Sequence, residues 1–500
     1  MIDREAVRSN AKYLRNVRPV DPEEICEYVE GTPHPAVVRR VLREEAFDLG
    51  LVERRDGAFV PVADDPVRPP GWSPDGLPDA YAFALEDLLV ERFGREWHRG
   101  ESGDRLREAI RRLKADYYYQ NPVAYDETAA LGYAIYHLPD FYATVGYVLD
   151  DVAERGLLPR RLRVLDVGAG VGGPALGLHD YLRGSPAADD GSSDDRAGDA
   201  SKKDAAGKDT SGEDAADAPT PLLVDYHAVE PSTAADVLER LLGETGRNFH
   251  ATIHRERAES FAPEGEYDIV LFANVLSELD DPVAVVERYR EALADDGSIV
   301  LLAPADRNTS TGLRDVERAV APADGDVTVY SPTLRLWPGY APEDRGWSFD
   351  VRPDVGAPAV QRKLDEAGDD PGTFVHTSVQ FSYAVLRTDG RRRVDVLADP
   401  DRHARMAEMG RHVTERVDLL AVKLSRNLAG DGNPVFKVSD GSERVGHFAV
   451  LAGRTGLNRA LADADYGDVL AVENVLVLWN DDEEAYNLVV DTETYVDRVA

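Results

Sequence analysis

The stretch Val164-Leu-Asp-Val-Gly-Ala-Gly-Val-Gly-Gly173 leaves this chain few folds to choose from. Val164, Leu165 and Val167 have the character of a buried parallel strand, and Asp166 closes it. Gly168, Gly170, Gly172 and Gly173 follow at once, and Pro174-Ala-Leu-Gly-Leu-His-Asp-Tyr-Leu182 predicts a helix. Strand, glycine turn and helix start together make a cradle for a nucleotide-type ligand. Glycine lets the backbone come close, and the first turn of a helix offers unpaired N–H groups. A lone glycine turn could serve NAD, FAD or S-adenosylmethionine, or merely join a strand to a helix. The D-x-G-x-G form, with its carboxylate just ahead of the glycines, is the methyltransferase variant and favours S-adenosylmethionine.

Around this stretch, residues 158–395 alternate strand and helix signals, which predicts a doubly wound α/β sheet of the Rossmann-like class I methyltransferase type. Leu222-Leu-Val-Asp-Tyr-His-Ala-Val229 is the expected second strand, with Glu230 at its tip. A carboxylate there can accept both hydroxyl hydrogens of a ribose diol. The usual distance from the glycines is about 20 residues. It is longer here because residues 184–220, poor in large apolar side chains, form an insertion expected to be disordered. The third strand is expected at 251–254, with Ala258-Glu259 in an adenine-contacting loop. The fourth is expected at 267–273 and the fifth at 297–304. Sites in open parallel sheets lie beyond the carboxyl ends of the strands. Asn274, Ser277, Glu278, Asp306, Arg307 and Asn308 should therefore border the pocket. Ordinary helix-start chemistry explains Ser277 and Glu278 equally well. The cofactor set is read as Asp166, Gly168, Ala169, Gly170, Gly172, Glu230, Glu259 and Asn274. Asn274 and Glu278 are the catalytic candidates.

The flanks carry further modules. Residues 1–65 predict a winged-helix-like unit: two helices, then a hairpin with an Asp-Gly turn at Asp56-Gly57. Arg39, Arg40 and Arg43 could touch phosphates there, although such units are as often packing elements. After a Pro-rich linker, residues 79–157 predict a helical module. It contains Arg105, Arg107, Arg111, Arg112 and Lys114, followed by Tyr117, Tyr118 and Tyr119. Cations beside aromatic planes suit RNA. The other reading is an amphipathic helix with Leu106, Ile110 and Leu113 buried. Tyr125, Tyr133 and Tyr136 continue an aromatic run that is either core or a roof over the pocket. Residues 400–425 predict a helix, and the remainder of 400–500 an OB-like β-barrel. Barrels of that type bind single strands or proteins.

Composition narrows the setting. The net charge is −36, and the ten acids and four bases of 184–220 supply −6 of it, leaving −30 for the rest. An acidic, Lys-poor surface is expected of a protein solvated in high salt. The single cysteine, Cys26, excludes a disulfide framework and a Cys-based zinc site, and no metal is expected. No apolar leader and no long apolar run are present, so a cytoplasmic protein without a membrane span is expected.

Several segments resemble the mitochondrial small-ribosomal-subunit methyltransferase-like family and its prokaryotic relatives. They are the tyrosine-rich helices before the glycine loop, Val164–Gly173, Asn274-Val-Leu-Ser-Glu-Leu279, Tyr330-Ser-Pro-Thr-Leu-Arg-Leu-Trp337, Gly346-Trp-Ser-Phe349 and Phe381-Ser-Tyr-Ala384. The resemblance spans roughly 115–425. It implies S-adenosylmethionine bound through Asp166, Gly168, Gly170 and Glu230, and rRNA methylation or assembly of the small ribosomal subunit. Members often carry an iron–sulfur cysteine cluster around Ser331–Gly346; this chain has no cysteine there, so no iron–sulfur cluster is expected. Two alternatives stand beside this: a small-molecule methyltransferase, and a catalytically silent S-adenosylmethionine-binding scaffold. Carbon-5 pyrimidine methylation needs a cysteine nucleophile, and the lone Cys26 lies far from the sheet in sequence. Asn274-Val-Leu-Ser also lacks the prolines and aromatic ring usual for base-amine methylation.

Overall fold

The computed structural model describes residues 2–119, 121, 123, 125–185, 222–344 and 346–499. Nearly all of the expected insertion at 184–220 lies outside these residues. Four helices and a hairpin open the chain: α1 (Arg4–Leu14), α2 (Pro22–Tyr28), α3 (Pro35–Glu44), α4 (Ala46–Leu49), β1 (Leu51–Glu53) and β2 (Phe59–Pro61). The Asp3 carboxylate caps α1 at the Ala6 amide, and Asp21 caps α2 with Pro22 at its first position. Cys26 is buried in this unit, its thiol donating to the Pro22 carbonyl.

The arginines of α3 are each paired with or close to an acid, although the Arg40 side chain stays 80% exposed. Arg43 makes a two-pronged pair with the buried Glu53 at 2.5 and 2.9 Å, Arg40 pairs with Glu44 at 2.8 Å, and Arg39 lies 3.9 Å from Glu53. Glu53 also ties this unit to Asn248, just ahead of a strand of the main sheet: its amide donates to Asn248 Oδ1 at 2.8 Å, and its carbonyl accepts from Asn248 Nδ2 at 3.1 Å. In this structure the wing is a docking element.

Three long helices follow: α5 (Asp79–Phe93), α6 (Gly100–Tyr119) and α7 (Glu127–Ala153). The main sheet and its helices come next: β3 (Arg161–Val167), α8 (Gly173–Gly184), β4 (Leu223–Val229), α9 (Ala234–Leu242), β5 (Phe249–His254), β6 (Tyr267–Ala273), α10 (Pro282–Arg290), β7 (Leu293–Pro304), α11 (Arg307–Val320), β8 (Thr328–Ser331), β9 (Asp350–Arg352), α12 (Ala359–Glu366) and β10 (Val379–Arg387). The strand path is β5-β4-β3-β6-β7-β10-β8, with β9 sharing an edge of β10. Strands β3 to β7 run parallel, and β10 is antiparallel to β7. Alternate residues of β3 feed two cores. Leu162 and Val164 pack with α7 and α8; Leu165 and Val167 pack with α10 and α11. The order reverses between β3 and β6, and that switch point opens a crevice at the strand tips.

Of the basic run of α6, Arg107 turns inward, while Arg105, Arg111, Arg112 and Lys114 stay exposed and are engaged by neighbouring side chains. Arg107 is buried. It donates to the His98 carbonyl at 3.1 Å and the Leu364 carbonyl at 3.0 Å, and pairs with Asp104 at 2.7 Å. Lys114 donates to the Tyr136 hydroxyl at 2.9 Å. Arg111 sits over the Phe374 ring, 3.8 Å from Asp370, and Arg112 pairs with Asp126 at 3.4 Å. Arg105 approaches Thr128 and the Phe93 ring. The reason for the burial of Arg107 is tertiary: α12 returns over it and offers the Leu364 carbonyl. Replacing Arg107 by Met should therefore destabilise the protein by about 2–4 kcal/mol, because the buried Leu364 carbonyl and the half-buried His98 carbonyl lose a charged donor. The exposed Arg111→Gln should change stability by less than about 1 kcal/mol. Urea denaturation of the two variants checks this; equal midpoints would mean that Arg107 is an ordinary solvated cation.

The C-terminal part corrects one further expectation. Residues 400–425 do not form a helix. A single 3₁₀ segment at Met406–His412 precedes β11 (Arg416–Lys423). Its apolar run Leu419-Leu-Ala-Val422 suits a buried strand as well as a helix, and pairing with a distant strand decides between them. There follow β12 (Val435–Ser439), β13 (His447–Leu451), α13 (Ala460–Asp463), β14 (Val469–Asn480), β15 (Ala485–Val490) and β16 (Tyr495–Val499). Five strands close in the order β11-β12-β13-β15-β14 and back to β11, and β16 adds to β14. The β13–β15 pair is parallel, and the whole is a Greek-key barrel of OB type. Among the described residues no helix is long and apolar enough to cross a membrane.

Candidate active site

A cleft of about 250 Å³ lies at the switch point, beyond the tips of β3, β4 and β6. Glycine geometry shapes its floor. Gly168 (φ 72°) donates its amide to the Val229 carbonyl at 2.8 Å, tying the loop to the tip of β4. Gly170 (φ 54°) donates to Glu230 Oε2 at 2.9 Å, while the Ser232 amide donates to Oε1 at 2.9 Å. The Glu230 carboxylate is thus fixed by two backbone amides before any ligand arrives, with lone pairs left for a diol.

Of the residues expected to hold a cofactor, Gly168, Gly170, Glu230, Glu259 and Asn274 line the cleft. Asp166, Ala169 and Gly172 do not; they support it from below. Asp166 is fully buried and accepts the Tyr226 hydroxyl. Burial pushes its carboxyl up to about 7 against the opposing Tyr226 bond, with the nearby Glu230 charge adding to the rise. Gly172 starts α8 in a left-handed conformation. Glu259 pairs with Arg257 at 3.3 Å, and Arg257 is a lining residue the sequence did not single out. Asn274 takes φ 62°, uncommon for a residue with a side chain, and its amide donates to the Leu302 carbonyl at 3.0 Å. Asp306, Arg307, Asn308 and Ser277 lie away from the cleft lining. Asp306 caps α11 at the Asn308 and Thr309 amides, which is ordinary helix-start chemistry.

The far wall is aromatic and carries one carboxylate. Glu278, on the short 3₁₀ turn after β6, accepts the Tyr117 hydroxyl at 2.6 Å and the Tyr125 hydroxyl at 3.1 Å, both on Oε1. Glu278 as a residue is exposed, but the rings packed around its carboxyl desolvate it and raise it above its ordinary range; the two hydroxyls oppose that rise and Glu230 adds to it. Tyr125 and Tyr133 line the cleft, which makes them roof residues. Tyr117 turns inward from the end of α6, while Tyr118 and Tyr119 are exposed. Behind Tyr133, His137, Asp140 and His376 come together, a cluster no sequence spacing announced.

A parallel sheet with this strand order, a glycine loop on β3 and an acid at the tip of β4 define a class I S-adenosylmethionine-dependent methyltransferase domain. Family models place the chain further. A model described as a methyltransferase domain matches residues 213–299, which include Glu230, Glu259, Asn274 and Glu278. Models described as the N-terminal and C-terminal domains of a domain of unknown function (DUF8157) match residues 4–55 and 407–499. No curated protein matches the sequence. Similar solved structures include the plantazolicin methyltransferase BpumL in complex with SAH, at 12% identity and TM-score 0.27, covering 62% of this chain and 99% of that one. A methyltransferase from Geobacter sulfurreducens in complex with S-adenosyl-L-homocysteine is 12% identical, TM-score 0.19, covering 29% of this chain and 42% of that one. The glycopeptide N-methyltransferase MtfA is 15% identical, TM-score 0.21, covering 32% and 53%. The cofactor is S-adenosylmethionine. The methyltransferase match is general and does not extend to the small-ribosomal-subunit family.

Proposed function

We propose that the protein transfers the methyl group of S-adenosylmethionine to an oxygen or nitrogen nucleophile of a small molecule or peptide, presented to Glu278. The observation that carries this is the Glu278 carboxylate, held by two phenol hydroxyls in the same cleft as Gly170 and Glu230. Methyl transfer from a sulfonium is an in-line displacement, so the protein's task is to align the acceptor and keep water out. Glu278 accepts the acceptor's proton as the new bond forms, and Tyr117 and Tyr125 hold the carboxylate in place. Glu230 orients the cofactor's ribose. The aromatic walls of Tyr125 and Tyr133 exclude water and complement the sulfonium charge.

A second reading keeps the small ribosomal subunit and its rRNA as the target. It is favoured by the OB-type barrel and by Tyr118 and Tyr119, which stand exposed on the helix that supplies Tyr117. The burial of Arg107 removes one cation of α6 from any RNA contact, while Arg105, Arg111, Arg112 and Lys114 remain exposed beside acids and rings. Incubating extract with the enzyme and methyl-labelled cofactor, then sedimenting it through a gradient at native salt, separates the two. Label in the low-mass or peptide pool is the outcome expected for the first reading. Label confined to small-subunit RNA establishes the second. No label in any fraction, with cofactor binding intact, would leave the silent scaffold as the function.

A further inference from the structure

We propose that His137, Asp140 and His376 form a binding site for a divalent cation of the zinc class, placed behind the Tyr133 wall of the cleft. His137 and Asp140 stand three residues apart on α7 and so share one face. His376 comes from the loop between α12 and β10. Gln361, fully buried, holds that loop on α7: its Nε2 donates to the Ile135 and Tyr136 carbonyls at 2.9 and 3.0 Å, and its Oε1 accepts the His376 amide at 3.1 Å. Both imidazoles are set by stacking, His376 on Tyr136 at 4.8 Å and His137 on Phe141 at 5.0 Å.

The two carboxylate–imidazole distances suit ligands on one metal better than a hydrogen-bonded triad. Asp140 Oδ2 lies 3.5 Å from His137 Nδ1 and 3.4 Å from His376 Nε2. Charge-assisted hydrogen bonds run at about 2.7–2.9 Å. Ligands on a tetrahedral zinc with bonds of about 2.0–2.1 Å stand about 3.3 Å apart. The second observation is Asp140 Oδ1, buried and without a hydrogen-bond partner on a side chain nine-tenths buried. A buried carboxylate left half-satisfied is costly unless a cation completes it. The three ligand atoms all lie within 4.8 Å of one another, and the two histidines stay partly exposed, so an ion has a way in. Two histidines and one carboxylate leave a fourth position open, as in sites that do chemistry and not in closed structural ones. Tyr133 links this position to the cleft: its ring lies 5.0 Å from His137, and it lines the cofactor cavity. The proposal stands against the expectation, drawn from the lone cysteine, of a protein without a metal. It does not depend on the identity of the methyl acceptor.

The test uses the full-length protein, stripped with chelator and then titrated with zinc or cobalt(II). Wild type is expected to retain about one equivalent of zinc after desalting. Its cobalt form should show the intense visible bands of four- or five-coordinate geometry. His376→Gln and Asp140→Asn should each lose metal affinity by at least about 100-fold while binding S-adenosylmethionine within twofold of wild type. Substoichiometric zinc in wild type overturns the site whatever the variants do. Equal metal content in wild type and His376→Gln overturns it as well, and leaves the three residues as a buttress for Tyr133.

Discussion

Gly170→Val should abolish S-adenosylmethionine binding while leaving the protein folded. A Cβ built on Gly170 meets nothing closer than the Gly168 carbonyl at 4.0 Å, so the protein itself has room for the side chain. That room belongs to the cleft Gly170 lines, and a valine would occupy the cofactor's space. The left-handed backbone, φ 54°, adds a strain of about 1–2 kcal/mol, a few degrees of melting temperature for a chain of this size. Gly168 provides the contrast. A Cβ there would stand 2.3 Å from Val275 Cγ2, so Gly168→Val forces the turn after β6 to move and should lower the melting temperature far more. Calorimetry should therefore find no measurable affinity in Gly170→Val beside a near-normal melt. Wild-type affinity in that variant would mean that the cofactor does not lie over the glycine loop.

The glycine loop and Glu230 were legible in the sequence because local rules govern them. A backbone held at positive φ needs glycine, and a strand-tip acid sits where the sheet's topology puts ligands. The sequence of β11 was misread because an apolar run of strand length carries no period of its own; the partner strand β14 decides it. Arg107 was misread for a related reason. A helical wheel assigns Arg107 to a face, yet only the return of α12 determines that this face is covered, with the Leu364 carbonyl as its partner. Tyr117 could have been singled out as the tyrosine of the Tyr117–Tyr119 run nearest the helix's buried stripe. His376 had no such signal, since its partners lie far back in the chain on α7.

Glu278→Gln should reduce kcat by about 10²–10⁴-fold and leave cofactor affinity within a few-fold, because the amide keeps the shape but cannot take a proton. The pH profile sharpens the assignment. Only the ionised carboxylate accepts a proton, so the wild-type rate should rise with pH through an apparent pKa above the ordinary carboxylate range, then level off. The direction follows from desolvation of the carboxyl, which disfavours the charge. The Tyr117 and Tyr125 hydroxyls act the other way by donating to the charged form. Removing both, in Tyr117→Phe/Tyr125→Phe, withdraws that stabilisation and should move the acid limb to still higher pH while the plateau falls less than in Glu278→Gln. A carboxylate that only shaped the pocket would give no such displacement. An acid limb at the same pH in wild type and the double Phe variant, or a Glu278→Gln enzyme with wild-type kcat, would place the proton acceptor elsewhere in the cleft.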